Sequence, residues 1–85
     1  MIRQVIEVAD LKAILTDIAK AIVDTPDEVT VLQNEDDNSI TLVLSVAPDD
    51  MGMVIGKHGK IAKSIRSVIK AAAGNINKKV NVEIR

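Results

Sequence analysis

Residues 47–66 read APDDMGMVIGKHGKIAKSIR. Three of the chain's four glycines, Gly52, Gly56 and Gly59, fall within eight positions here. The ten residues from Lys57 to Arg66 hold four cations: Lys57, Lys60, Lys63 and Arg66. Pro48 suits the first position of a helix, and Asp49 and Asp50 favour its positive end, so the stretch opens as a short helix that Gly56 stops. After Gly59 the spacing predicts a longer helix to about Ala73, closed by Gly74-Asn75. Ile61, Ala62, Ile65, Val68, Ile69 and Ala72 form its apolar face, and Lys60, Lys63, Arg66, Ser67 and Lys70 the opposite side. Only Gly56-Lys57-His58-Gly59 joins the two helices, which makes a tight, positively charged corner.

Upstream, residues 10–24 (DLKAILTDIAKAIVD) place Leu11, Ile14, Leu15, Ile18, Ala21 and Ile22 on one helical face, with Asp10 as N-cap. Thr25-Pro26-Asp27 ends that helix. Residues 28–34 (EVTVLQN) and 39–46 (SITLVLSV) read as strands, the second with Ile40, Leu42, Leu44 and Val46 on one face and Thr41, Val43 and Ser45 on the other. Between them Glu35-Asp36-Asp37-Asn38 is turn chemistry and predicts a hairpin with a solvated acidic tip. Residues 79–85 alternate again, with Val80, Val82 and Ile84 inward, giving a third strand. Residues 1–9 are a lead-in whose structure the pattern leaves open, and 10–85 form one domain.

The order α-β-β-α-α-β fixes an α+β topology. The second and third strands are joined through two helices and so lie parallel; the first two pair antiparallel. An 85-residue chain supports one thin core, so the helices pack on one face of the three-stranded mixed sheet. With no Phe, Tyr or Trp that core is aliphatic, and a bound nucleic acid has no aromatic platform to stack on. The absence of Cys removes disulfides, thiolate metal sites and thiol nucleophiles. No apolar run approaches the ~20 residues needed to span a bilayer, and the start shows no signal-peptide pattern, so no membrane partner is expected.

Net charge is −1, but its distribution is uneven. Residues 1–50 hold three cations against eleven acids, a balance of −8, and residues 51–85 hold eight cations against one acid, a balance of +7. Such a split suits one face that attracts polyanions. A random partition of solvated charge is the plainer explanation, and a simple helix–turn–helix corner would by itself account for Gly56 and Gly59. Neither explains why every charge from Lys57 to Lys70 is positive.

Other chemistries fit poorly. A phosphate-binding GxxxxGK[ST] loop fails at Val54 and at Ile61, and no G-x-G occurs for a dinucleotide fingerprint. His58 is the only histidine, and no nucleophile, base and orienting group come together, so neither enzyme activity nor a metal or other cofactor is called for. The remaining reading uses every residue. Gly56 and Gly59 let a phosphate chain approach the backbone, Lys57, His58 and Lys60 surround that point at the start of the long helix, and Lys63, Arg66 and Lys70 extend the field. Gly52, one turn before Gly56, leaves a shallow floor for a base or sugar. Val54, Ile55 and residues 40–46 supply groove wall or core, with at least one of Val54 and Ile55 in the core.

Val54-Ile55-Gly56-Lys57-His58-Gly59 resembles the VIGxxG core of KH domains, whose GxxG loop clamps the backbone of about four nucleotides. The element order is similar to the type II, bacterial form of that fold. "DTPDEV", the whole of residues 47–66 and the short last strand resemble the small bacterial single-KH proteins of the KhpA family. The resemblance implies a cytoplasmic, non-enzymatic protein that binds single-stranded RNA in post-transcriptional regulation or RNA chaperoning. It also implies a homodimer, or a heterodimer with a larger protein carrying KH and R3H-type domains. The chain departs from many KH domains at Ala62, where Ile is usual; Ile61 and Ile65 beside it can make the core contact. A lone domain without aromatics should bind weakly and with strong salt dependence, and dimerisation would raise affinity through effective concentration. An alternative function is a homo- or heterodimerisation module on a KH scaffold, with RNA binding secondary and the −8 and +7 halves meeting head to tail.

Overall fold

The computed structural model describes residues 7–85. The first helix, α1 (Val8–Ile22), buries Leu11, Leu15 and Ala19 at a four-residue spacing and half-buries Ile14, Ile18 and Ile22. It starts earlier than the sequence predicts. Asp10 is not the N-cap: it lies inside the first turn, and its carboxylate reaches back to accept the Glu7 N–H at 2.9 Å. A cap and a third-position acid look alike in sequence, because both satisfy free N–H groups at a helix start. The expected lead-in 1–9 therefore runs into α1, while its first six residues lie outside the described ones. At the other end Val23 is extended, and Pro26–Glu28 form a short 3-10 turn where a strand was expected to begin.

Strand β1 (Thr30–Glu35) pairs antiparallel with β2 (Ser39–Ser45), and β3 (Lys79–Ile84) pairs parallel with β2, giving the sheet order β1-β2-β3. Thr30 faces Ser45 at one end of the hairpin, and Ile40 faces Val80 on the parallel side. The two pairings match the sequence expectation. Ile40, Leu42 and Leu44 are fully buried under the helices beside Val31, Val80 and Val82. Leu32 and Val43 are paired on the opposite face, where Leu32 remains 61% exposed.

The acidic hairpin tip is more than solvated charge. Asp36 Oδ1 accepts the N–H groups of Asn38 and Ser39 at 2.8 and 2.7 Å, and Ser39 Oγ donates to Oδ2 at 3.1 Å. These donors, the Asn38 N–H foremost, hold the Asp36 carboxyl below its ordinary value of 3.8. Lys78 Nζ then donates to Glu35 Oε2 at 2.6 Å and to the Asp36 carbonyl at 2.8 Å, tying the tip to the start of β3. Three acids in a row carry no local sign of which one closes the turn.

After β2 a 3-10 turn, Pro48–Asp50, leads into α2 (Met51–Ile55), and α3 (Lys60–Ala72) returns the chain to β3. Asp50 is only 2% exposed. Its two oxygens accept the N–H groups of Asp24 and Thr25 at 3.3 and 3.0 Å, so a carboxylate expected to favour a helix end also ties the end of α1 to the start of α2. A buried carboxylate persists only when donors replace its water. Here they are the N–H groups of Asp24 and Thr25, in the segment just after α1.

Because the folded-state carboxyl of Asp36 is depressed, its stabilising contribution is complete above about pH 4 and is lost as pH falls through the folded value. Asp36→Ala should lower the denaturant midpoint at about pH 7, and the gap to wild type should close as pH is lowered towards about 2. A gap independent of pH would show that the carboxylate does not hold the turn.

Candidate nucleic-acid interface

The corner is built on one buried side chain. In α2, Val54 is fully buried, while Gly52, Met53 and Ile55 are exposed, so of the pair Val54 and Ile55 it is Val54 that joins the core. Gly56 ends α2 with its N–H on the Gly52 carbonyl at 2.9 Å and turns the chain at φ 74°, ψ 176°. A Cβ at Gly56 would lie 2.6 Å from Ile61 Cγ1. The glycine is thus required twice, by backbone angle and by the Ile61 side chain packed against it. Gly59 (φ 75°, ψ 14°) is left-handed too, but a Cβ there would meet nothing within 4 Å. A Cβ at Gly52 would likewise meet nothing within 4 Å.

Between the glycines, His58 sits at φ 58°, ψ 24°, a left-handed conformation that costs a side-chain-bearing residue roughly 1–2 kcal/mol. Lys57 and His58 are both exposed at the apex, and Lys60 follows directly as the first residue of α3. The expected supply of free N–H groups at this helix start is smaller than the sequence suggests. A 3-10 turn at Lys57–Gly59 precedes α3, so the Gly59 N–H donates to the Gly56 carbonyl at 3.2 Å and the Lys60 N–H to the Lys57 carbonyl. Positive charge at the apex is therefore supplied mainly by side chains.

Going round α3 at about 100° per residue separates three sides rather than two. Ala62, Ile65 and Ile69 face the core. Lys60, Lys63, Ser67 and Lys70 are exposed on one flank; Lys60 to Lys70 spans about 15 Å at 1.5 Å per residue. Ile61 and Val68, expected to point inward, are 38% and 49% exposed on the other flank. There, with Ile18, Ile22, Ser64 and Ile65, they line an open apolar groove of about 460 Å³. The helix carries a wider apolar arc than the sheet can cover. Beside Ala62 the core contact comes from Ile65, while Ile61 packs on Gly56 instead.

Arg66 also differs from the expectation of a solvated cation. It is half-buried at the border between the basic flank and the sheet, and its Nε donates to the Val82 carbonyl of β3 at 3.2 Å. The structure thus gathers Lys57, His58 and Lys60 at the apex, sets Lys63 beside them along α3 and fixes Arg66 against β3. Among the described residues no cluster of three or more His, Cys, Asp or Glu side chains could hold a metal, and no helix is long and apolar enough to cross a membrane. Sequence reasoning missed Asp50 and the Ile61–Gly56 contact. The partners of Asp50 lie about 25 positions upstream, beyond any local pattern.

A helix–GxxG–helix corner beside a β-β-β sheet of mixed direction defines a type II KH domain. The chain belongs to the family described as KhpA/KhpB, KH domain, whose sequence model matches residues 12–84. It is similar to the RNA-binding protein KhpA of Clostridium acetobutylicum, 60% identical over 74 residues that cover 87% of this chain and 99% of that relative. The RNA-binding protein KhpA of Halalkalibacterium halodurans is 47% identical over 74 residues, 87% of this chain and 97% of that relative. Among solved structures, Aquifex aeolicus Era bound to GDP.AlF4- aligns with a TM-score of 0.64 at 19% identity over 87% of this chain. Era in complex with MgGDPNP and nucleotides 1506-1542 of 16S ribosomal RNA aligns with a TM-score of 0.61 at 20% identity, again over 87% of this chain. The chain spans 29% and 28% of those two structures, and the likeness is one of fold.

Substituting the three glycines by alanine separates their roles. Gly56→Ala combines a left-handed φ with the Ile61 clash and should cost roughly 2–4 kcal/mol. Gly59→Ala meets the φ cost alone, about 1–2 kcal/mol. Gly52→Ala, inside α2 with free space, should be neutral or stabilise by up to about 1 kcal/mol. Thermal or denaturant unfolding of the three variants checks the order.

Proposed function

We propose that the chain binds single-stranded RNA by gripping its sugar–phosphate backbone at the GKHG loop, without catalysing a reaction. The supporting observation is the loop itself: a non-glycine residue, His58, held in a strained left-handed conformation at an exposed apex, with open space over Gly59 and cations on both sides. Strain of this kind persists where the surrounding structure enforces it, and here it aims two exposed side chains outward. The curated relatives carry the name RNA-binding protein KhpA, which agrees in ligand class.

The roles follow from position. Gly56 and Gly59 keep side chains off the approach, and Lys57, His58 and Lys60 contact phosphates. Lys63 and Arg66 continue the contact along α3, and Gly52 leaves room on the α2 side. With few phosphates neutralised and no aromatic to stack a base, a single domain binds weakly. The logarithm of its affinity falls with log salt by roughly 0.7 per phosphate engaged. A cytoplasmic role in post-transcriptional regulation or RNA chaperoning fits that grip on the sugar–phosphate backbone.

A second reading, pairing of two chains, draws on the uncovered groove at Ile18, Ile22, Ile61 and Val68 and on the opposite charge of the two chain halves. A second copy, or the KH-type domain of a larger partner, would cover the apolar flank of α3. The loop and the basic flank would stay open, and two tethered weak sites would gain affinity by effective concentration.

Lys57→Asp with His58→Asp keeps both glycines, and aspartate tolerates the left-handed angle at position 58. The double variant should keep the wild-type unfolding midpoint and lose RNA binding in a fluorescence anisotropy titration; wild-type affinity in this variant would refute the loop reading. Sedimentation across salt concentrations, with and without RNA, tests the pairing. A dimer that persists at high salt places apolar contact above charge, and a monomer under all conditions removes the second reading.

A further inference from the structure

Among the described residues, Arg66 is the one cation of α3 whose side chain is held by a hydrogen bond to the sheet. Lys60, Lys63 and Lys70 make no ion pair among the described residues and are free to follow a phosphate. Arg66 is half-buried and its Nε donates to the Val82 carbonyl at 3.2 Å, which restricts how its guanidinium can turn.

The receiving strand matters. β3 is the free edge of the sheet beyond β2. The Lys79 N–H donates inward to the Asn38 carbonyl and the Arg85 N–H inward to that of Leu44. By strand alternation Val80, Val82 and Ile84 direct their backbone groups away from β2, and the Val82 carbonyl is the one that Arg66 holds. A guanidinium tied through Nε keeps both Nη groups, a planar pair of donors, available at its far end. Arg66 itself stands where the basic flank of α3 meets the edge of β3, about 9 Å along the helix from Lys60 at 1.5 Å per residue.

Resting on the RNA-binding reading above, we propose that Arg66 is a specificity-determining residue: it reads a base, and it favours guanine. Two coplanar donors match the paired acceptors O6 and N7 of guanine, the commonest specific contact of arginine with a base; cytosine, with O2 beside N3, is the competing base, and a cytidine-substituted hexamer must bind less tightly than the guanosine one. Adenine sets a donor next to N7, and uracil offers no adjacent acceptor pair, so neither satisfies both Nη groups. The Val82 tether holds the fork in place, which spares the conformational cost of ordering a long side chain on binding. A flexible lysine at this position would keep the charge and lose the fork.

The test compares a uridine hexamer with the same hexamer carrying one guanosine at each position in turn, by fluorescence anisotropy at fixed salt. Wild type should bind the best guanosine-containing hexamer on the order of ten-fold more tightly than the uridine hexamer. Arg66→Lys, at a fixed net charge, should bring the guanosine-containing hexamers down to the affinity of the uridine hexamer, so that the ratio of the two falls to about one. A purely structural or electrostatic role would instead shift every oligomer by the same factor, and that outcome overturns the proposal. Equal affinity of wild type for all the hexamers also overturns it and leaves the loop reading intact. Failure of wild type to bind any hexamer would sink both.

Discussion

The contact between Gly56 and Ile61 sets the geometry on which the rest of the site depends. A chain that must leave α2 and enter α3 within four residues has to reverse at a positive φ, and it does so under a side chain that leaves no room for a Cβ. Ile61 fixes from above what Val54 fixes from below. With both ends held, the two residues between the glycines have little freedom, and His58 is held left-handed at the apex. The aliphatic core offsets that local cost: fully burying one leucine or isoleucine contributes about 1.5–3 kcal/mol, and Leu11, Leu15, Ile40, Leu42, Leu44 and Ile69 are all fully buried. Asp50 adds a second brace by joining the end of α1 to the turn that begins α2.

The division of α3 into three sides gives the small domain more than one capacity. One side builds the core, one carries exposed lysines away from the loop, and one leaves Ile61 and Val68 uncovered next to α1. The proposed RNA contact and the proposed pairing thus use opposite flanks of a single helix and do not compete for surface. Ile61 connects them physically, because the side chain that lines the apolar groove also packs on Gly56 at the loop. Arg66 stands at the seam between helix and sheet, where the basic flank meets the edge of β3.

Much of this was legible from periodicity and spacing. Alternation in residues 39–46 and 79–85, with two helices between them, dictated a parallel pair, and the glycine spacing located the corner. What escaped notice depends on partners distant in sequence. Asp50 looks like any acid at a helix start, because its donors are two backbone groups at the end of α1. Asp36 is one of three consecutive acids, and only the turn geometry selects it. Helical periodicity marks Ile61 and Val68 as apolar but cannot say how wide an arc a three-stranded sheet will cover. Arg66 fits a solvated basic face by angle, and its bond to Val82 follows from the parallel return of β3 beneath it.

The central claim is that the loop and the adjoining flank of α3 form the RNA-contacting surface. Amide chemical-shift mapping of the isotopically labelled protein during titration with single-stranded RNA tests it most directly. The account predicts perturbations concentrated at Gly56, Lys57, His58, Gly59 and Lys60 and continuing through Lys63 and Arg66, with Leu32 and Val43 on the far face of the sheet unmoved. Shifts confined to that far face, or to Ile18, Ile22 and Val68 with a silent loop, would contradict it.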